Sequence, residues 1–415
     1  MKLHIENIMA IGSADIDLDG ITVIVGNNNT GKSTIGKVLF AMFNALSNLN
    51  AQTRDALIHE CTWILRKSLL RYTGFRLKYH MWVQQLVNGE ETVDDLVDKL
   101  QKELAKTNSL NRYSPDWESI KKQLREILAI SEDELQKQVV LEHFHDVLGE
   151  QIAPLFSNHG VPSACLIIKR KKLEVTLSQK LPKIEIQLDL QNKSYYFDNP
   201  SLIDNLGDDA MDHMDSAQMQ RIADSFRERG GIVEDILLRK KYENAEAEIA
   251  KLLEGKVFYD AENETFKFKD NRYTDYINLR NLSQGVKSLA MLQVAFSQGA
   301  IKDRDVLILD EPEIHLHPAW QIKFAELIVI LQKAFNLTVL LTSHSPDFVE
   351  AIRLFAKKYD ISDQLNGYVS ELKEDNTATV KKILTDNWDD MFAKFAKSVD
   401  MLIDLRRELE NQSNE

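Results

Sequence analysis

The stretch Gly26-Asn27-Asn28-Asn29-Thr30-Gly31-Lys32-Ser33-Thr34 constrains this chain more than any other segment. It fits G-x-x-x-x-G-K-[ST], the pattern of a phosphate-binding loop. The apolar run 21–25 ahead of it reads as a short buried strand, and behind it Ile35, Val38, Leu39, Met42, Phe43 and Leu46 recur at helical spacing. Strand, loop, helix is the context in which such a loop works. Its glycines let the backbone close around a polyphosphate, inward-facing N–H groups bind the oxygens, and the helix N-terminus adds a field that favours an anion. In this pattern Lys32 reaches the β- and γ-phosphates and the Ser33 hydroxyl ligates Mg2+.

Further along, residues 305–320 read DVLILDEPEIHLHPAW. The run 306–309 suits a strand buried on both faces of a parallel sheet. It ends in Asp310 and Glu311, which alternation along a strand would aim in different directions. Asp310 is the candidate Mg2+ ligand; Glu311 is the candidate group that positions or deprotonates an attacking water. Upstream, in Asn281-Leu282-Ser283-Gln284-Gly285-Val286-Lys287-Ser288, Ser283 is placed like a helix N-cap with free N–H groups behind it. That is a second anion site, suited to a γ-phosphate presented by another subunit. Downstream, the apolar run 337–341 ends in Thr342-Ser343-His344-Ser345-Pro346, where His344 can hydrogen-bond a γ-phosphate and sense its loss.

Phosphate loop, L-S-x-G, D-E-P and His, in that order, resemble the ABC-type ATPase head, a group that includes SMC, RecF and OLD-family proteins. The opening Lys2-Leu3-His4-Ile5-Glu6-Asn7-Ile8 is similar to the first strand of SMC- and RecF-like heads. The run Asp310-Glu311-Pro312-Glu313-Ile314-His315-Leu316-His317-Pro318 is similar to the D-E-P-E-x-x-L-H-P form of OLD-like bacterial ATPases and unlike the usual transporter sequence. The resemblance covers roughly residues 1–48 and 256–385. It implies an α/β fold, a P-loop ATPase head with ATP and Mg2+ as ligands, into which periodicity places a large, mostly helical insertion carrying a small β patch. It also implies two ATP molecules held between two protomers, with Ser283 and Gly285 acting in trans; Gln284 stands where the transporter form L-S-G-G-Q has its first Gly. A Mg2+-sensing Gln between loop and signature is implied as well. Gln179 and Gln187 are candidates, and the sequence does not choose between them.

The expected organisation is a first part of the head at 1–48, the insertion at 49–255 with its β patch near 164–198, the rest of the head at 256–385, and a C-terminal helix and tail at 386–415. Helical periodicity marks 51–70, 76–88, 91–106, 117–149, 213–229, 232–254 and 388–410. No heptad run is sustained, which argues against a long coiled-coil arm. Lys169-Arg170-Lys171-Lys172, between two strand-like runs, reads as a charge-protected hairpin or edge before it reads as a phosphate-backbone contact. Tyr195-Tyr196-Phe197 reads as core or edge packing before it reads as a binding cluster.

Apolar content of 44% and charged content of 28% over 415 residues are those of a soluble globular chain. No apolar run approaches membrane-spanning length and no signal peptide opens the chain, so no membrane partner is expected. Cys61 and Cys165 lack C-x-x-C partners, which argues against zinc and disulfides and for a reducing cytoplasm. The net charge of −13 opposes a general nucleic-acid surface but leaves local patches open. No nuclease pattern stands out, and 345–415 is short for the Toprim nuclease domain of many OLD proteins. The chain therefore resembles most the OLD-like ATPase subunits of anti-phage modules of the Septu or PARIS type, whose nuclease or toxin effector is a separate protein. The alternatives are a DNA-repair or chromosome-maintenance ATPase of RecF or SMC character and, opposed by the long insertion, a transporter ATPase.

Overall fold

The computed structural model describes residues 1–69, 79–106, 115–149, 152, 160–177, 182–188, 190–205, 232–260, 265–297, 299–383, 388 and 392. The chain forms two compact units, Met1–Asn44 with Phe144–Glu415, and Ala45–His143. As a separate unit the insertion is thus shorter than the 49–255 read from the sequence, and the β patch belongs to the sheet of the first unit.

That sheet has eleven strands. In chain order they are β1 (Lys2–Ile8), β2 (Ile11–Asp17), β3 (Ile21–Gly26), β4 (Ser163–Ile168), β5 (Lys171–Thr176), β6 (Lys183–Ile186), β7 (Ser194–Phe197), β11 (Val306–Asp310), β12 (Thr338–Ser343), β13 (Leu365–Leu372) and β14 (Ala378–Ile383). In space they run β6-β5-β4-β1-β2-β14-β13-β3-β12-β11-β7. From β13 through β7 every neighbouring pair is parallel. The meander β2-β1-β4-β5-β6 is antiparallel. A second, three-stranded sheet holds β8 (Gly255–Asp260), β9 (Thr265–Asp270) and β10 (Ile277–Asn278).

The central parallel strands are mainly apolar because both their faces are covered, with Thr22 and Ser194 as buried polar exceptions. Val23, Val25, Leu307, Leu309, Val339 and Leu341 share one core cluster with Leu289, Phe324, Phe335 and Phe348. Those partners come from α8 (Gln284–Ser297), α9 (Pro318–Phe335) and α10 (Pro346–Lys358). The alternate residue Ile308 turns the other way, toward the phosphate-loop helix α1 (Lys32–Leu46). Helix α7 (Ile232–Leu253) adds Ile249 and Leu253 to the first cluster.

The second unit is built on α2 (Leu49–Leu69), α3 (Tyr79–Val87), α4 (Val93–Lys106), α5 (Trp117–Leu128) and α6 (Glu132–Leu148), the last running on into the first unit. Cys61, Leu65, Val83, Leu96, Leu100 and Leu124 form its core. The single helical stretch expected over 117–149 is two helices. Ser131 and Glu134 form a reciprocal capping box, Glu134 N–H donating to Ser131 Oγ (3.3 Å) and Ser131 Oγ to Glu134 Oε2 (2.9 Å), which starts α6 afresh. The basic run turns between β4 and β5, and Lys172 pairs with Glu174 (2.6 Å) and Glu185 (2.9 Å), inside the sheet and not at its edge. The helices expected over 213–229 and 388–410 lie outside the described residues, apart from isolated positions of the latter. No helix of the described residues is long and apolar enough to cross a membrane.

Leu340 is fully buried in β12, between β3 and β11. Leu340→Ala should lower the free energy of unfolding by about 2–5 kcal/mol. Urea denaturation followed by circular dichroism measures it, and a loss under 1 kcal/mol would contradict close packing at the centre of this sheet.

Candidate nucleotide site

Four neighbouring parallel strands, β3, β12, β11 and β7, deliver their C-terminal ends to one edge of the sheet. This is where open α/β sheets bind ligands. β3 runs into the phosphate loop, in which Asn27, Asn28 and Asn29 are exposed and Thr30, Lys32 and Thr34 buried. Gly31 takes φ +81°, a left-handed turn that glycine adopts without cost, and α1 follows directly. Lys32 donates from Nζ to the carbonyls of Gly26 (3.0 Å) and Asn27 (2.9 Å) across the loop. Burial lowers its pKa, while the charges of Glu311, Asp310 and Glu313 pull it back up. Thr34 turns its hydroxyl away, onto Met9 Sδ (3.8 Å).

β11 ends at Asp310, and the divergence of the two carboxylates has a different cause from strand alternation. Glu311 leaves the strand at φ +50°, with its N–H donating to Thr342 O (3.2 Å) and Thr342 Oγ1 (3.0 Å). Such a backbone is held only where the surroundings over-determine it. Thr342 in turn donates from Oγ1 to Asp310 Oδ1 (2.5 Å), and Tyr196 donates to Asp310 Oδ2 (2.7 Å). Glu311 Oε1 lies 2.6 Å from His344 Nε2 and 3.8 Å from Lys32 Nζ. Burial and then the Lys32 charge lower the His344 pKa against the pull of Glu311, favouring a neutral imidazole at neutral pH. Ser33, Asp198, Asp310 and Glu311 line one cleft of about 150 Å³ together with apolar side chains such as Phe197, Met291, Leu292 and Phe324, and Ser33 is the phosphate loop's one contribution to it. A hydroxyl and a carboxylate facing the same space are hard oxygen donors of the kind Mg2+ takes.

Glu313, fourth in the D-E-P-E run, is almost fully buried (2% exposed). Its Oε1 accepts from Ser343 Oγ (2.5 Å) and from the backbone N–H of His344 (3.0 Å). It thereby ties the turn after β11 to the end of β12 and fixes where His344 starts. Gln321 adds a second tie, accepting from Ser345 Oγ (2.8 Å) and donating to the carbonyls of Glu313 (3.2 Å) and Leu316 (3.1 Å). The His-Pro closing that run is a helix start: His317 caps α9 through Nδ1, accepting from Ala319 N (3.3 Å), and Pro318 sits at the first turn.

Ser283 precedes α8 and is exposed, its Oγ accepting a long contact from Val286 N (3.5 Å) and its carbonyl accepting from Lys287 N (2.9 Å). Among the described residues no hydrogen bond links it to the phosphate loop. Gly285 is buried instead: a Cβ there would stand 2.7 Å from His315 O and 2.9 Å from Leu316 Cδ2, so it lets the acidic turn press against α8. Gln284 donates to Ser201 Oγ (3.0 Å) and Lys287 pairs with Asp204 (2.7 Å), tying α8 to the segment that leaves β7. Gln187 is not at the site. It follows β6, at the opposite edge of the sheet, and donates to Glu185 (2.6 Å). Gln179 lies outside the described residues. The residues at the end of the strand beside Asp310 are Phe197, Asp198 and Asn199, of which Asp198 and Asn199 are exposed.

A family model described as "AAA ATPase domain" matches residues 1–213, just over half of the chain. The chain belongs to this AAA ATPase family. A second model, described as "AAA domain, putative AbiEii toxin, Type IV TA system", matches residues 167–350, which hold the signature, the acidic pair and His344. Among solved structures, the SMC head bound to the C-winged helix domain of ScpA is similar at 12% identity and a TM-score of 0.45, over 92% of this chain and 97% of that one. The SMC head domain from Thermotoga maritima is similar at 14% identity and a TM-score of 0.40, over 92% and 98%. The Pyrococcus furiosus Smc head with an extended coiled coil, bound to the C-terminal domain of ScpA, gives 11%, 0.35, 98% and 98%. No curated protein matches the sequence.

Sequence reasoning missed Tyr196, Asp198, Glu313 and Thr342. The spacing of Glu313 within D-E-P-E was visible, but a buried carboxylate cannot be told from an exposed one by spacing. Burial raises the Glu313 pKa above the ordinary 4.5. The folded state therefore holds that proton more tightly than the unfolded one, and this stabilisation is present below the ordinary pKa and lost as pH rises through the raised one. Glu313→Gln should flatten that part of the stability–pH curve. Glu313→Ala should cost about 1–3 kcal/mol by leaving a buried hydroxyl and N–H without an acceptor. Thermal melts of the variants between pH 4 and 8 test this, and melts that parallel wild type throughout would refute it.

Proposed function

We propose that this ATPase hydrolyses ATP with Mg2+ at the cleft between the phosphate loop and the end of β11, with Glu311 as the water-activating group. The carrying observation is the placement of Glu311 Oε1, 2.6 Å from His344 Nε2 and 3.8 Å from Lys32 Nζ, in the cleft that Ser33 and Asp310 also line. Gly26, Asn27, Asn28, Asn29, Thr30 and Gly31 wrap the phosphates with backbone N–H groups, and Lys32 exchanges its carbonyl partners for phosphate oxygens. Ser33 and Asp310 would hold Mg2+, which would screen the phosphate charge. His344, with Nε2 2.6 Å from Glu311 Oε1, stands beside the carboxylate and would contact a γ-phosphate bound in the loop.

Lys32→Ala should abolish ATP binding, because the loop loses its only cation. Glu311→Gln should bind ATP and slow turnover by about 10²–10⁴-fold. Calorimetry and a phosphate-release assay read the two. Unchanged affinity in a folded Lys32→Ala protein would remove the loop assignment, and wild-type turnover in Glu311→Gln would remove the role given to Glu311.

The reading extends to a head-to-head dimer in which Ser283 meets the γ-phosphate held by the other subunit. Its support is the exposed Ser283 at the start of α8, without a bond to its own loop. ATP then joins two heads and hydrolysis releases them, a binary state that a separate nuclease or toxin effector can read. The match of 167–350 to a model named for a putative toxin of a type IV toxin–antitoxin system supports a defence-type setting over DNA repair. In a mixture of Ser283→Arg and Lys32→Ala, one site of each mixed dimer pairs an intact loop with an intact signature. Partial ATPase activity should return, to roughly a quarter of wild type with random pairing and independent sites. A mixture as inactive as its parents, with heterodimers proven by pull-down, would overturn the trans arrangement.

A further inference from the structure

We propose that Tyr196 is a positioning residue for Asp310, its ring clamped against the phosphate-loop helix so that its hydroxyl fixes the carboxylate that faces the metal. This rests on the assignment of Mg2+ to Asp310 and Ser33.

Register brings the two together. β7 and β11 are parallel, with Tyr196 opposite Ile308 and Phe197 opposite Leu309. Side chains two apart on a strand share a face. Tyr196, Ile308 and Asp310 therefore line the same side of the sheet, and a phenol is long enough to pass along that face to the strand end. Its hydroxyl donates to Asp310 Oδ2 at 2.7 Å. Thr342, from the strand on the other side of β11, donates to Oδ1 at 2.5 Å. The two carboxylate oxygens are thus held from opposite flanks, and turning the carboxylate about its last bond breaks both contacts. Each oxygen keeps a lone pair for a metal ion or its water.

The clamp explains a glycine that the helix would otherwise avoid. Gly36 sits inside α1, where glycine is unfavourable. A Cβ at Gly36 would stand 3.0 Å from Tyr196 Cε2 and 3.0 Å from Ile308 Cγ2. Phe40, one turn on, packs on the same ring with centroids 5.8 Å apart. The ring is 3% exposed. The helix that carries Lys32 and Ser33 therefore sets the position of the phenol, and the phenol sets the carboxylate. Loop and acidic strand are geometrically linked before any nucleotide arrives.

Mg2+ demands near-ideal octahedral geometry, whereas Ca2+ accepts a flexible one. Losing the phenol's hold should weaken Mg2+ more than Ca2+. The test is calorimetry of a non-hydrolysable ATP analogue on the full chain, with Tyr196→Phe and Gly36→Ala, in EDTA and at graded Mg2+ or Ca2+. In EDTA the affinity of Tyr196→Phe should stay within about twofold of wild type, since no phosphate contact changes. The Mg2+ half-saturation should rise roughly tenfold, the usual size of a lost supporting contact at a metal site, with a smaller rise for Ca2+. Gly36→Ala, which displaces the ring and keeps the hydroxyl, should shift Mg2+ in the same direction and serves as the readout should Tyr196→Phe fail to fold. Unchanged Mg2+ half-saturation in both folded variants overturns the proposal. So does an equal loss in EDTA, Mg2+ and Ca2+, which marks a purely structural ring. A wild-type protein whose analogue affinity ignores divalent ions overturns the Asp310 assignment and this inference with it.

Discussion

The parallel ladder β3–β12–β11–β7 is the constraint on which the site depends. Parallel strands with both faces covered must be mainly apolar along their length, so polar chemistry is expelled to their ends. In this chain four such ends coincide. Ser343 lies opposite Val25, Asp310 opposite Thr342, and Leu309 opposite Phe197. A phosphate loop, a histidine turn, an acidic pair and an Asp-Asn turn thereby open onto one edge, although the four segments span residues 26 to 344.

Within that edge, hydroxyl groups do most of the arranging. Thr342 accepts from the Glu311 N–H and donates to Asp310, so one side chain sets the directions of both carboxylates. Ser343 and the His344 N–H converge on buried Glu313. Tyr196 holds the remaining oxygen of Asp310. Lys32 stands amid three of these carboxylates, and their charges offset part of what burial takes from its affinity for a proton. Negative charge is thus concentrated near a buried ammonium, among groups whose positions hydrogen bonds already fix.

Helix ends complete the frame. Ser345 caps α10, its Oγ accepting from Phe348 N (3.2 Å), and His317 with Pro318 starts α9. Both helices begin a few residues after the chemistry they follow, which holds the turns between strand and helix short. Gly285 lets the acidic turn press onto α8, while the Lys287–Asp204 and Gln284–Ser201 contacts join α8 to the segment leaving β7. A change at the end of β7 has a direct route to the face that carries Ser283.

By itself the sequence determined the phosphate loop, the acidic pair and the histidine turn, because each is a local pattern: a run of glycine and polar residues, or an apolar strand with its chemistry at the end. It also determined β3, β11 and β12, whose unbroken apolar runs admit few other fates. Only the tertiary structure decided the rest. SYYF at 194–197 is too short and too ordinary to announce itself as the strand beside β11, and pairing across more than a hundred residues is what turns Tyr196 from a core aromatic into a partner of Asp310. Glu313 looks like any surface glutamate until the fold buries it. The direction of Glu311 comes from a left-handed backbone that Thr342 enforces from a neighbouring strand. Local patterns single out the candidate residues. Non-local pairing fixes where they point, because register and burial depend on strands far apart in the chain.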